Sequence, residues 1–392
     1  MKIYEIGTGY TPIPAQMGAA TEIVVEELTK AFLAQGMPVQ IVDIAAAERA
    51  CTDLPIMEVP VPGCFRRTDV KLGLLHKLKR VVYSICLART LHHLLKNSPE
   101  KVVLHFHNQY NLFFFLKLVP EKIRRRAKIV YTNHSGIWRL PWNEICDTIR
   151  KRYFQEAECM RKADVVFVLN GETRENAVKH LGLDTSRLAV IANGVNVDVY
   201  CPLEEEEKQQ AMAKWDLTGK HVILQVGSVC ENKGQLRSAE LLLPLLQQDT
   251  NLVFAYAGGI VDEAYQQEIE KFAQEKKLQS RIRYMGALKP GKELNSLFNT
   301  ATATIMASRY EGFSLVSIES CAAGVPVLVD DAGVVRVGEG SVVVNGQNIA
   351  EVYEKLKDEQ AYRSLCDAAR TNAVDNYSWE KIARMHLVTW AE

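Results

Sequence analysis

RYEGFSLVSIESCAAGVPVLV (309–329) is the stretch from which the fold is read. It follows the β-branched run ATIM (303–306), opens a helix, and runs into VPVLV (325–329). Strand, loop, helix and strand in so short a span make a βαβ crossover, which joins parallel strands. Glu311 sits in the loop, and Gly312, Phe313, Ser314 and Leu315 present backbone amides at the helix N-terminus. Glu319 follows eight residues after Glu311, two turns up the same face. Carboxylates so placed can accept hydrogen bonds from sugar hydroxyls while the amides hold a phosphate. The other reading is a helix N-terminus enriched in acid for dipole reasons, and the stretch alone leaves both open.

The same alternation extends in both directions. In the first half, strands are expected at 2–6, 39–44, 102–106, 128–132, 164–169 and 188–192. Helical patterns lie at about 19–35, 72–96, 143–162 and 171–181. After residue 200 comes the polar stretch LEEEEKQQ (203–210), read as a domain boundary. Strands then recur at 221–226, 252–257, 281–285, 303–306 and 325–329, with helices at about 233–247, 262–277, 291–299, 315–323 and 348–375. The expectation is α/β: two Rossmann-like, doubly wound domains, 1–200 and 201–376, facing a central cleft. Ligand loops would lie at the carboxyl ends of the strands. SWEKIARMHLVTWA (378–391) adds an amphipathic C-terminal helix.

Composition limits the function classes. The 392 residues suit about two domains, and 47% hydrophobic with 24% charged residues excludes bulk disorder. Lys+Arg and Asp+Glu both number 47, so a nucleic-acid coat is not expected. MKIYEIGTGY reads at once as strand and turn, without a signal-peptide pattern, and no apolar run spans a bilayer. The expected location is the cytoplasm, with the inner face of the membrane as a second site. Nine cysteines without CxxC spacing argue against disulfides and zinc ribbons. Zero net charge hides an asymmetry: residues 66–152 hold 19 basic and 5 acidic side chains. One reading is a solvated basic face; the other is contact with an anionic membrane. Leu72, Leu75, Leu78, Val82 and Ile85 give this region an apolar stripe at helical spacing, read as core.

Glycine turns follow the first strand of each half. IGTGY (6–10) lacks dinucleotide-fingerprint spacing, because Pro12 and Pro14 follow, and Gly18 precedes the first helix. Gly227 with Lys233–Gly234 pairs a glycine turn with a cation at a helix start, which suits a diphosphate. A plain turn is the other reading of each.

These residues carry a family resemblance. E-x7-E within EGFSLVSIESCAAGVPV resembles the signature of retaining GT-B glycosyltransferases of family 4. IANGVNVDVYCP (191–202) is similar to that family's interdomain segment, and VGSVCENKG (226–234) to its VGRL…KG loop. AYAGG (255–259), YMGAL (284–288), YTNH (131–134) and YSWEKIA (377–383) resemble further elements. The resemblance implies a C-terminal helix, 377–392, packing back on an acceptor-binding N-terminal domain, with a nucleotide-sugar-binding C-terminal domain. It implies a retaining hexosyltransferase that takes a UDP-sugar first, or a GDP- or ADP-sugar, and serves a glycan, lipid-linked or small-molecule acceptor. Cell-surface polysaccharide or glycoconjugate synthesis is the expected setting.

By position, Glu311 would bind donor sugar hydroxyls and Glu319 the ribose. Lys233, Gly227, Ser228 and the amides of Gly312, Phe313, Ser314 and Leu315 would hold the diphosphate, approached by Gly18. Gly286 and Leu288 would touch the base. His134 would sit at the reacting face; an ordinary core histidine is its other reading, and more so for His105 and His107. No D-x-D lies between strands, so no metal is expected. Four departures stand out: Ser228 replaces an Arg that Arg309 could compensate, Ser314 replaces a Gly, 330–348 lacks the family's GG.pE pattern, and Gly18–Ala19 stands where the family has a glycine pair. Ser228 and the altered 330–348 stretch keep open a second reading, a catalytically weak subunit that binds nucleotide or glycan for a partner.

Overall fold

The computed structural model describes residues 1–15, 20–66, 74–331 and 337–391. The chain divides into two compact units, 1–193 with 379–392, and 194–378.

The first unit holds a seven-stranded sheet. Its strands are β1 (Ile3–Ile6), β2 (Val39–Ile44), β3 (Ile56–Val59), β4 (Val102–Phe106), β5 (Ala127–Asn133), β6 (Val165–Val168) and β7 (Leu188–Val190). They pair in parallel in the order β3-β2-β1-β4-β5-β6-β7. The strand order reverses between β1 and β4. Nearly every residue of the inner strands is buried, as expected for a parallel sheet covered on both faces, whereas edge strands β3 and β7 each bury one residue. Helix Trp379–Ala391 belongs to this unit. It buries Trp379, Ile382, Ala383, His386 and Trp390 at helical spacing, with Trp390 5.1 Å from the Phe32 ring. Lys128 donates to the Trp390 carbonyl at 2.7 Å, placing a cation at the helix's negative end.

The second unit holds a six-stranded parallel sheet: β8 (His221–Val226), β9 (Leu252–Ala257), β10 (Ile282–Tyr284), β11 (Ala303–Met306), β12 (Val327–Asp330) and β13 (Ser341–Val344). The order is β10-β9-β8-β11-β12-β13, so the reversal falls between β8 and β11. Both reversals are topological switch points, where open α/β sheets bind ligands beyond the carboxyl ends of the strands.

Several sequence expectations change. LEEEEKQQ is not a bare linker: helix Glu205–Lys214 starts there, and Glu204 and Glu207 form a reciprocal capping box. The units divide after Asn193 because Tyr200 and Cys201 tie the following turn to the second unit, through Gly291 and Asn295. β3, β13 and helix Gln109–Leu118 were not expected; QYNLFFFLKL is apolar nearly all round and hides its helical period. Helix Leu74–Asn97 buries Tyr83, Leu87, Leu91 and Leu95, whereas Leu78 of the expected stripe is half exposed. The basic cluster is partly drawn inward. Lys79 donates to the Tyr10 carbonyl, Arg80 lies 4.1 Å over the Tyr110 ring, and Arg126 caps Lys96 and Ser98 carbonyls. All nine cysteines are free. Among the described residues, no helix is long and apolar enough to cross a membrane.

Candidate active site

In the second unit, the loops after β8 and β11 flank the switch point. Lys233 comes from the first and Glu311 from the second, and their side chains pair at 2.8 Å. Both remain partly exposed. The loop that delivers Lys233 is built without slack. Gly234 adopts φ +72°, and a Cβ there would lie 2.5 Å from the Ala307 carbonyl oxygen. Gln225 donates to the Lys233 carbonyl at 2.7 Å, and Gln235 to the Ser228 carbonyl at 3.0 Å. Gly258 crowds the same loop from β9: a Cβ there would meet the Gly227 carbonyl oxygen at 2.0 Å. Only glycine fits either place.

Helix Leu315–Ala322 starts at this switch point. Ser314 is its N-cap, accepting from the Ser317 amide at 3.1 Å. Serine in place of glycine here secures the helix start. Phe313 is buried beside Tyr377, and Leu315 opens the helix. Gly312 lies in the loop between Glu311 and the cap. Glu319 stands on this helix. Burial pushes its carboxyl up to about 7, against a hydrogen bond from Tyr200. Tyr200 also accepts from the Gly291 amide at 3.1 Å, so it orients Glu319; the sequence reading did not single it out. Gly286, at φ +85°, and half-buried Leu288 follow β10, and the Gly286 carbonyl accepts from the Gly258 amide. Ser228 is exposed. Arg309, the candidate for replacing the missing cation, pairs instead with Glu231 at 2.8 Å. Asp330 is bound by Arg237 at 2.6 Å.

In the first unit, the switch point lies over a buried polar cluster. His107 and Asn108 follow β4, and His134 follows β5. His105 and His107 bond opposite oxygens of Glu5, at 2.9 and 2.7 Å. His107 Nδ1 meets His134 Nε2 at 3.0 Å, and Thr132 completes His105 at 2.7 Å. Burial raises the Glu5 carboxyl, but His105 and His107 outweigh it and hold the group at about 2. Burial depresses His107 to about 4 and His134 well below the usual imidazole range. His134 is half-buried; His105, His107 and Glu5 are enclosed. Glu5, His105 and His107 are the one set among the described residues with ligand atoms close enough for a metal. Each of those atoms already takes part in a hydrogen bond, so the set reads as a hydrogen-bond network. Asn133 and Ser135 flank His134 beside the buried Glu156, which burial pushes up to about 7 and which accepts from Trp138 Nε1. Gly18 lies outside the described residues.

The architecture and these loops invite comparison with known proteins. The model for Glycosyltransferase Family 4 matches residues 21–199, and that for Glycosyl transferases group 1 matches 207–373. The chain belongs to the family 4, group 1 glycosyltransferases. One relative within the family is D-inositol 3-phosphate glycosyltransferase from Corynebacterium diphtheriae. It is 24% identical over 239 residues, covering 58% of this chain and 56% of that protein. The chain thus spans a little over half the length of such curated relatives. Sucrose-phosphate synthase from Thermosynechococcus elongatus superposes with TM-score 0.77 at 20% identity, covering 100% of this chain and 98% of that one. Anabaena HepE, in complex with UDP and glucose, superposes with TM-score 0.72 at 15% identity, covering 100% and 99%. The family's GT-B fold is therefore present in both sheets.

Proposed function

We propose that the chain is a retaining glycosyltransferase that needs no metal and moves a hexose from a nucleoside-diphosphate sugar to a glycan, lipid-linked or small-molecule acceptor. The observation that carries this reading is the Lys233–Glu311 pair at the β8/β11 switch point. A diphosphate there takes Lys233 as its cation and the amides of Gly312–Leu315 as donors. Glu311, released from Lys233, accepts the sugar hydroxyls, and Glu319 accepts the ribose hydroxyls. As the bond from the anomeric carbon to the leaving phosphate breaks, negative charge grows on the phosphate. Preorganised N–H groups and an ammonium stabilise that charge most in the transition state. The acceptor oxygen bonds the same face of the anomeric carbon and passes its proton to the departing phosphate. No protein nucleophile is required. UDP is the first donor base to try, as the HepE complex holds UDP and glucose, with GDP and ADP next.

The test is thermal stabilisation by UDP, GDP or ADP, each with and without EDTA. A ligand at a hundred times its dissociation constant stabilises the folded state by about 2.7 kcal/mol. A shift with one diphosphate, unchanged by EDTA, is expected; a shift that EDTA abolishes overturns metal independence. The anomeric configuration of the product, read by NMR, tests retention.

Exposed Ser228 and the Arg309–Glu231 pair favour one alternative, a weakly catalytic subunit that binds nucleotide for a partner. Tight diphosphate binding without turnover is its signature. The outward-facing remainder of the basic region, including exposed Lys77 and Lys122, is proposed to meet anionic membrane. Binding to vesicles of anionic lipid that weakens with salt is expected; no binding at low salt overturns it.

A further inference from the structure

The buried cluster of the first unit allows its protons to be placed one by one. Glu5 is ionised and fully enclosed, and its two oxygens each face one imidazole nitrogen. A carboxylate only accepts, so His107 Nε2 carries a hydrogen. His107 is neutral near pH 7, so its Nδ1 holds a lone pair. That lone pair faces His134 Nε2 at 3.0 Å, and two imidazole nitrogens so close need one hydrogen between them. The hydrogen therefore belongs to His134 Nε2. His134 is also neutral, and its Nδ1 is left as a lone pair. Among the described residues, His134 makes no other hydrogen bond.

We propose that Glu5 and His107 are positioning residues: they fix His134 in the Nε2–H tautomer, so that its Nδ1 accepts a hydrogen bond from a ligand hydroxyl. The hydroxyl half of this inference rests on the glycosyltransferase reading; the tautomer half does not. The arrangement is enclosed from the far side by helix Trp379–Ala391. His386 Nδ1–H donates to the Ile382 carbonyl at 2.8 Å, and the His386 ring lies 5.6 Å from that of His105. With water excluded, the orientation set by Glu5 has no solvent competitor.

Neutral imidazoles exchange tautomers freely in water, so a single tautomer at a half-buried strand end reports the relay directly. The experiment uses the full chain labelled with 15N-histidine, with long-range 1H–15N correlations assigned by the spectrum of His134→Ala. His134 is expected as one tautomer, protonated at Nε2. An Nδ1–H pattern or an averaged one overturns the proposal. His107→Gln sharpens it, because an amide cannot tautomerise yet offers N–H to Glu5 and C=O to His134. The His134 pattern is expected to survive in His107→Gln and to average in His107→Leu. Averaging in the glutamine variant, or a fixed tautomer in a folded leucine variant, overturns the relay. If the leucine variant fails to fold, the wild-type and glutamine spectra still decide. UDP-glucose is then added at saturation. A shift at His134 Nδ1 with the Nε2–H retained supports the hydroxyl contact. UDP-glucose that raises the melting temperature but leaves Nδ1 unmoved overturns that contact. UDP-glucose that neither binds nor reacts, with the tautomer as expected, sinks the donor reading and leaves the relay standing.

Discussion

The two sheets reverse strand order at equivalent places, β1/β4 and β8/β11, yet fill those places differently. At β1/β4 the polar side chains bind one another. Glu5 holds two histidines, and Asn111 donates to the carbonyls of Gly7 and Thr8 at 3.0 and 3.2 Å. At β8/β11 two ion pairs, Lys233–Glu311 and Arg309–Glu231, join the loops and stand partly in solvent, beside backbone that glycine alone permits. A buried, satisfied network resists rearrangement, because each group that leaves exposes an unpaired partner. A partly exposed ion pair exchanges partners more readily than an enclosed network, because solvent can replace each partner as it leaves. The first switch point is built to hold a geometry; under the function proposed above, the second would release its groups to an anion.

The largest effect should follow from breaking the second arrangement. Glu311→Ala is expected to lower kcat by about 10²–10³-fold, the range for losing one transition-state contact. The melting temperature should move little beside the kinetic loss, because a single partly exposed ion pair adds modest stability. Steady-state kinetics beside a thermal melt make the check. A fully active variant would remove Glu311 from the site.

The next effect sharpens the contrast from the first unit. The Glu156 carboxyl is raised by burial from 4.5 to about 7, despite the hydrogen bond from Trp138. Folding therefore favours the protonated form. Its stability contribution is fully present below about pH 4.5 and is lost as pH rises through about 7. The size is on the order of 3 kcal/mol. Glu156→Gln should remove this slope and be more stable than the parent at pH 8. Denaturant melts at several pH values measure it. Glu319 shares the sign and the window, so a residual slope in Glu156→Gln is expected.

Much of this comparison could be read from the chain. The strands VQIVDI (39–44) and HVILQV (221–226) occur as expected, since buried parallel strands are unbroken β-branched runs. Lys233, Glu311 and Glu319 could be named because glycine turns and a helix start mark them locally. Tyr200 could not, since its partners Gly291 and Glu319 lie about a hundred residues away. Glu5 left a signal that went unread: a carboxylate inside a buried central strand must have a partner. HFH at 105–107 offered it, but pairing β1 with β4 is a property of the sheet order. β3, IMEV, mixes a charge into four residues and is too short for periodicity to show.

A smaller effect tests how tightly the loop after β8 is held. Gly258→Ala places a Cβ 2.0 Å from the Gly227 carbonyl, at a φ of +147° that alanine avoids. The cost should be about 2 kcal/mol, from overpacking and backbone strain. Gly259→Ala, with open space around it, is the control. Equal melting temperatures for the two variants would show that the loop has room, and would weaken the contrast with the first unit.

The smallest effect concerns the residue at 228. Ser228 is exposed beside Gly227, and Arg309, the nearest substitute in sequence logic, is engaged by Glu231. If the second switch point binds a diphosphate with Lys233 as its cation, a second cation on the same loop should tighten binding. A charge-assisted hydrogen bond contributes about 1.5–3 kcal/mol in full, less at an exposed site. Ser228→Arg should therefore lower the dissociation constant for UDP by roughly tenfold, about 1.4 kcal/mol. The gain should fade as salt rises, since it is an exposed charge that supplies it. Arg309→Ala is the companion variant: it leaves UDP binding unchanged if Glu231 holds that guanidinium, and weakens it if Arg309 swings to the phosphate. Calorimetric titration of both variants separates these cases. An arginine at 228 that gains nothing would mean the diphosphate does not lie along this loop, and the partner-exchange account of Lys233 would fall with it.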